Sequence, residues 1–203
     1  MDKDSLNNSE VELKFDASHL TLRTFQRLIK KLKTNDFLDC IASNLVEGWD
    51  DYYEQNGNIV RHRYDKFDYN QLTVKLLKDK SIIDRIEKNI SIRYENPEDV
   101  SDFLELLGFK KSLKIYKTSD IYYFQEKSII FSVVFYTIKC KGFADKQFIE
   151  IEVEKDDKIP IKNALEFLSE IKKPIMELFK LKEPINKSLY EIYTGKKYKL
   201  YNA

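Results

Sequence analysis

Glutamates at alternate positions, followed at the same spacing by a lysine, put hard oxygen ligands and an ammonium on one side of an extended chain. Glu10-Val11-Glu12-Leu13-Lys14-Phe15 has that pattern. Strict alternation predicts a strand with Val11, Leu13 and Phe15 on one face and Glu10, Glu12 and Lys14 on the other. The two carboxylates would lie roughly 7 Å apart along it. Carboxylates suit a divalent cation, and an ammonium beside them suits an anion. A second acidic alternation, Phe148-Ile149-Glu150-Ile151-Glu152-Val153-Glu154, sets Glu150 and Glu152 against Ile149, Ile151 and Val153.

Basic strands lie between these acidic ones. Arg61 and Arg63 share a face of Ile59-Val60-Arg61-His62-Arg63-Tyr64, and two forked donors at that spacing match phosphate oxygens. Lys75 interrupts the apolar run Leu72–Leu77, with Thr73 on its face. Lys114 lies in the lysine-rich stretch Lys110–Lys117, where Ser112, Lys114 and Tyr116 alternate with Leu113, Ile115 and Lys117. Arg85 and Glu87 alternate with Ile86 and read as a structural ion pair. Acids for a metal and bases for phosphate together describe a polyphosphate site.

Several other elements are needed to position these strands. A helix is expected over about 19–33, capped by Ser18, with Leu20, Phe25, Leu28, Ile29 and Leu32 as its apolar stripe. Asn56-Gly57 signals a tight hairpin. Pro97 opens a helix that Gly108 ends. Pro160 precedes a long helix over about 161–181 containing Pro174, and a last helix is expected over about 183–194, ending near Gly195. Residues 1–8 are polar and expected to be flexible. Residues 34–48 carry no clear period. His19 and His62 read as structural, since His62 falls opposite the two arginines.

The composition narrows the function classes. The chain has 203 residues, 35 basic against 34 acidic, which gives no case for general nucleic-acid or membrane binding. Its length suits one domain. Cys40 and Cys140 have no partner-like spacing, and with no signal peptide in view free thiols in the cytoplasm are expected. No apolar run approaches the roughly 18 residues of a membrane span.

Charged residues alternate with bulky apolar ones strand after strand, and both signs recur on the charged face. Closing such a sheet puts charge inside and apolar residues outside, beneath helices. Buried charge is costly unless paired or bound to a ligand. A bland alternative is an open sheet with one solvated charged face.

In these motifs the chain resembles the CYTH, or triphosphate tunnel metalloenzyme, superfamily. Glu10-Val11-Glu12-Leu13-Lys14 looks like its E-x-E-x-K signature. In order there follow an aspartate–tyrosine segment before a hairpin, R-x-R at Arg61 and Arg63, the lysine strand at Lys75, R-x-E at Arg85 and Glu87, and E-x-E at Glu150 and Glu152. Lys187-Ser188-Leu189-Tyr190-Glu191 is similar to the family's closing helix.

The resemblance implies an α+β fold, an antiparallel eight-stranded β-barrel forming a tunnel with flanking α-helices, the C-terminal helices of 160–195 packing on it. It implies a metal-dependent triphosphatase acting on tripolyphosphate, a nucleoside or thiamine triphosphate, or an RNA 5′ end. Glu10, Glu12, Glu150 and Glu152 would bind Mg²⁺ or Mn²⁺. Lys14, Arg61, Arg63, Lys75, Arg85 and Lys114 would hold the triphosphate, with Lys75 and the four glutamates catalytic. A class IV-type adenylate cyclase and a non-catalytic triphosphate-binding module are the alternatives, as monomer or homodimer. Two positions depart from the family pattern: Tyr116 stands where a basic residue is usual, and Tyr136 near where an aspartate is usual.

Overall fold

The computed structural model describes residues 11–34, 39–67, 69–77, 85–92, 96–126, 128–153 and 159–197; for 33, 34, 39, 75–77 and 85–87 it describes the backbone alone. The strands are β1 (Val11–Asp16), β2 (Asp39–Gln55), whose first half carries no clear period in the sequence, β3 (Asn58–Tyr64), β4 (Asn70–Leu77), β5 (Arg85–Ser91), β6 (Lys110–Glu126), β7 (Ile129–Cys140) and β8 (Lys146–Val153). The helices are α1 (Leu22–Thr34), α2 (Pro97–Leu106), α3 (Ile161–Phe179) and α4 (Leu189–Thr194).

All eight strands join one antiparallel sheet in the order β1-β8-β7-β6-β2-β3-β4-β5. The expected closure into a barrel is not found. Among the described residues β5 pairs only with β4 and β1 only with β8, so the sheet stays open. Closure needs the last strand to pair with the first, and among the described residues no ladder joins β5 to β1.

Alternation sorts the sheet's two faces. On one, Val11, Phe15, Phe131, Val133, Phe135, Ile149, Ile151 and Val153 form a core with Phe25 and Ile29 of α1 and Phe167, Leu168, Ile171, Ile175 and Phe179 of α3. Phe25 stacks on Phe135 and Phe179, with ring centroids 5.1 and 5.3 Å away. Removing that side chain would cost about 3–5 kcal/mol. Further along this face α2 lays Val100 and Leu104 against Tyr53 and Val60.

The opposite face has a core of its own. Tyr52, Ile59, Ile115, Val134, Tyr136, Ile138 and Phe148 pack with Leu189, Tyr190 and Tyr193 of α4. The two C-terminal helices therefore lie on opposite faces: α3 covers the apolar face, and α4 plugs one end of the charged one.

Local signals explain the turns and two corrections. Asn56 and Gly57 take φ values of 51° and 79° between the paired Gln55 and Asn58, the double positive φ of a two-residue hairpin. Helix α1 is capped not by Ser18 but by Thr21, whose hydroxyl accepts from the Thr24 amide at 3.2 Å. Ser18 instead sits in a turn, its amide donating to Asp16 Oδ1. The last helix is confined to α4, because Ser188 caps it and Gly195 ends it in the left-handed region.

Candidate functional site

The β1–β8 ladder builds one wall of a cleft on the charged face. Its register sets Glu12 directly opposite Glu152, and Lys14 opposite Glu150. Like charges directly opposed on a sheet repel, so this wall needs positive charge nearby. Lys14 supplies some: its Nζ lies 3.7 Å from Glu12 Oε1 and 3.2 Å from Glu150 Oε1. The Tyr136 hydroxyl also donates to Glu150 Oε1, at 2.9 Å. Burial pushes the Glu150 carboxyl up and Glu12 adds to that. Lys14, Lys117 and the Tyr136 hydrogen bond outweigh both and hold it below its ordinary value.

Across the cleft, β2 and β3 build a basic wall. Asp50 and Arg63 are cross-strand partners. Arg63 grips the Asp50 carboxylate with two bonds, Nε to Oδ1 at 2.6 Å and Nη2 to Oδ2 at 2.8 Å. Asp50 is 1% exposed. Burial opposes its charge, but Arg63, then Arg61 and Lys117, hold its carboxyl well below the usual carboxylate range. Against its own burial, the carboxylate in turn holds the Arg63 guanidinium's pKa well above its ordinary value. Arg61 donates to Thr73 Oγ1 at 3.1 Å.

Lys117 of β6 stands between the walls. Its Nζ is 4.0 Å from Glu150 Oε2 and 3.9 Å from the centre of the Tyr136 ring. Burial pushes this ammonium down to about 8, against the pull of Glu150. It therefore remains mostly protonated at neutral pH.

The cleft has a volume of about 450 Å³ and is lined by Glu12, Lys14, Asp50, Arg61, Arg63, Lys117, Glu150 and Glu152, with Ser188 and Leu189 at the α4 end. That size is ordinary for a small-molecule site. Carboxylates of Glu12, Glu150 and Glu152 have the right chemistry for a hard divalent cation. Among the described residues no three His, Cys, Asp or Glu side chains form a ready metal cluster, and the Lys14 ammonium lies between Glu12 and Glu150.

Glu12, Lys14, Arg61, Arg63, Glu150 and Glu152, all singled out in the sequence, thus meet in one cleft. Lys114 does not join them. It points to the other face, where its Nζ donates to the Tyr64 hydroxyl at 2.7 Å and lies 3.9 Å from Asp51 Oδ1. Tyr116 shares that side and donates to Glu47. The cleft side of β6 carries Leu113, Ile115 and Lys117, so the cation is supplied by Lys117 rather than Lys114. Glu10 lies outside the described residues. So do the side chains of Lys75, Arg85 and Glu87, although Lys75 pairs with Glu87 in the β4–β5 ladder.

Three contributors were missed as site residues: Asp50, Lys117 and Tyr136. The spacing already set Lys117 opposite Lys114, but not which of them faced inward. Asp50 and Asp51 are adjacent in the aspartate–tyrosine segment, and residue type alone does not say which of them faces inward. His62 is fully buried on the far face and bonded to Asn70 at 2.7 Å, as a structural histidine should be.

No family model matches the chain, and no curated protein matches it. Solved structures do. The PH1819 protein from Pyrococcus horikoshii OT3 matches over 93% of this chain and 99% of its own, at 24% identity and a TM-score of 0.60. The PH1012 protein from the same organism matches over 90% and 98%, at 20% identity and a TM-score of 0.61. A conserved hypothetical protein from Pyrococcus furiosus matches over 90% and 99%, at 22% identity and a TM-score of 0.59. The chain shares their fold. The Pct1 RNA triphosphatase of S. pombe matches over 86% of this chain and 80% of its own, at 13% identity and a TM-score of 0.38, a likeness too loose to bear on this chain's chemistry. No helix among the described residues is long and apolar enough to cross a membrane.

Proposed function

We propose that the chain is a divalent-metal-dependent triphosphatase that splits the terminal phosphate from a triphosphate held across the cleft. The observation that carries this reading is the opposition of the two walls. Glu12 faces Glu152 on one side, and Arg61 and Arg63 line the other, with Lys117 between. A self-repelling acidic pair beside a basic wall suits a cation and a polyanion bound together. The motif order that resembles the triphosphate tunnel metalloenzymes supports the same reading.

Glu12, Glu150 and Glu152 would hold Mg²⁺ or Mn²⁺, which when bound polarises a phosphoryl oxygen. Arg61, Arg63 and Lys117 bind and orient the phosphate chain and neutralise charge as it develops. Lys14 serves the phosphate nearest the acids. A β8 carboxylate orients the attacking water and takes its proton. The water oxygen bonds to the terminal phosphorus as the bridging P–O bond breaks, and the shortened polyphosphate leaves.

A second reading, a triphosphate binder without turnover, is favoured by Lys14, whose ammonium lies between Glu12 and Glu150. One experiment separates the two. Phosphate release is measured from tripolyphosphate, ATP, GTP, thiamine triphosphate and a triphosphate-ended RNA, with Mg²⁺ and with Mn²⁺, beside Glu12→Gln and Arg61→Ala. Metal-dependent release lost in both variants is expected. Tight tripolyphosphate binding with no release from any substrate would overturn hydrolysis in favour of the silent binder.

A further inference from the structure

Tyr136 occupies a boundary. Its ring belongs to the α4 core and packs against Phe148 at 5.4 Å, fully buried. Its hydroxyl reaches out of that core to Glu150 Oε1 at 2.9 Å. The ring face carries Lys117, whose Nζ is 3.9 Å from its centre. Lys117 in turn lies 4.0 Å from the other Glu150 oxygen, Oε2. One rigid side chain therefore touches both the central carboxylate of the acidic wall and the cation between the walls. Since a carboxylate oxygen can only accept, the phenol is the donor in this contact.

The geometry points to Tyr136 as a positioning residue, one that ties down the Glu150 carboxylate through its hydroxyl and seats Lys117 for phosphate on its ring. This rests on the triphosphatase reading, in which Glu150 is a metal ligand and Lys117 a phosphate ligand. Outer contacts that fix a ligating carboxylate set metal affinity as well as the ligands do, and a cation over an aromatic face is held in direction as well as in energy. The competing explanation is that a buried phenol simply needs a hydrogen-bond partner. It would make Tyr136 a matter of stability alone.

Two substitutions separate these. Tyr136→Phe keeps the ring and removes the hydroxyl; Tyr136→Leu removes both. Mn²⁺ affinity is read by electron paramagnetic resonance of the free ion, tripolyphosphate affinity by calorimetry, and folding by thermal unfolding of the same samples. Tyr136→Phe is expected to weaken Mn²⁺ binding about tenfold while tripolyphosphate affinity without metal stays within about twofold. Tyr136→Leu is expected to weaken both. Folded variants that bind Mn²⁺ and tripolyphosphate like the wild type would overturn the inference and leave the triphosphatase reading standing. Wild-type protein that binds neither would overturn both together.

Discussion

The two walls of the cleft are both charged, yet they are held together differently. On the β2–β3 wall the charges are matched: Asp50 and Arg63 are cross-strand partners joined by two hydrogen bonds. On the β1–β8 wall the register opposes Glu12 to Glu152, and Lys14 is shared between Glu12 and Glu150. A matched pair stabilises the fold and presets a guanidinium. The acidic set places Glu12, Glu150 and Glu152 around a single Lys14, an arrangement that suits an added cation. The basic wall should therefore answer to mutation mainly in stability and anion affinity. The acidic wall should answer in metal dependence.

The largest effect is expected where the mismatch lies. Glu152→Gln should lower metal-dependent phosphate release about a thousandfold, or about 4 kcal/mol in barrier. Release at the wild-type rate would remove Glu152 from the metal-binding wall. Next comes Asp50→Asn, which leaves Arg63 without its buried partner and should cost about 3 kcal/mol in urea unfolding. A neutral result would erase the contrast between the walls.

Acid should act on the same pair. The folded Asp50 carboxyl is held well below its ordinary value of 3.8. Below that value the unfolded chain binds a proton that the folded chain does not, so acid favours unfolding. Its stabilisation is present above pH 3.8 and is lost as pH falls through the folded value. Asp50→Asn should flatten that part of the acid-stability profile, measured by urea midpoints across pH. The smallest effect is expected outside the cleft. Lys114 is half exposed on the far face, so Lys114→Ala should change tripolyphosphate affinity less than about twofold and stability by no more than about 0.5 kcal/mol.

How far these walls could be read in the sequence depends on how each is encoded. Period-two alternation places Glu12, Lys14, Arg61, Arg63, Glu150 and Glu152 on single faces, and hydrophobic burial then forces those faces to one side of the sheet. It is weaker in β6, where Lys110, Lys111, Lys114 and Lys117 fall on both faces and either face could be the inner one. Here the register also shifts between Tyr52 and Tyr53. Asp50 and Asp51 show the same limit. They are neighbours of one type, yet Asp50 faces the cleft and Arg63, while Asp51 faces away and accepts a hydrogen bond from Lys111. Only the packing of α2 and α4 on opposite faces decides between them. That α4 enters the charged side, and that β5 and β1 remain unpaired with each other among the described residues, are tertiary outcomes with no local signature.

The most direct test of the division between the walls is calorimetric titration of the wild-type protein with tripolyphosphate, with and without Mn²⁺. Mn²⁺ is expected to tighten tripolyphosphate binding at least about tenfold, and tripolyphosphate to tighten Mn²⁺ binding by the same factor, as reciprocal coupling requires. Glu12→Gln should remove the coupling while sparing the metal-free anion affinity. Tripolyphosphate binding of equal strength with and without Mn²⁺ would contradict a cleft that holds a cation on one wall and a polyanion on the other.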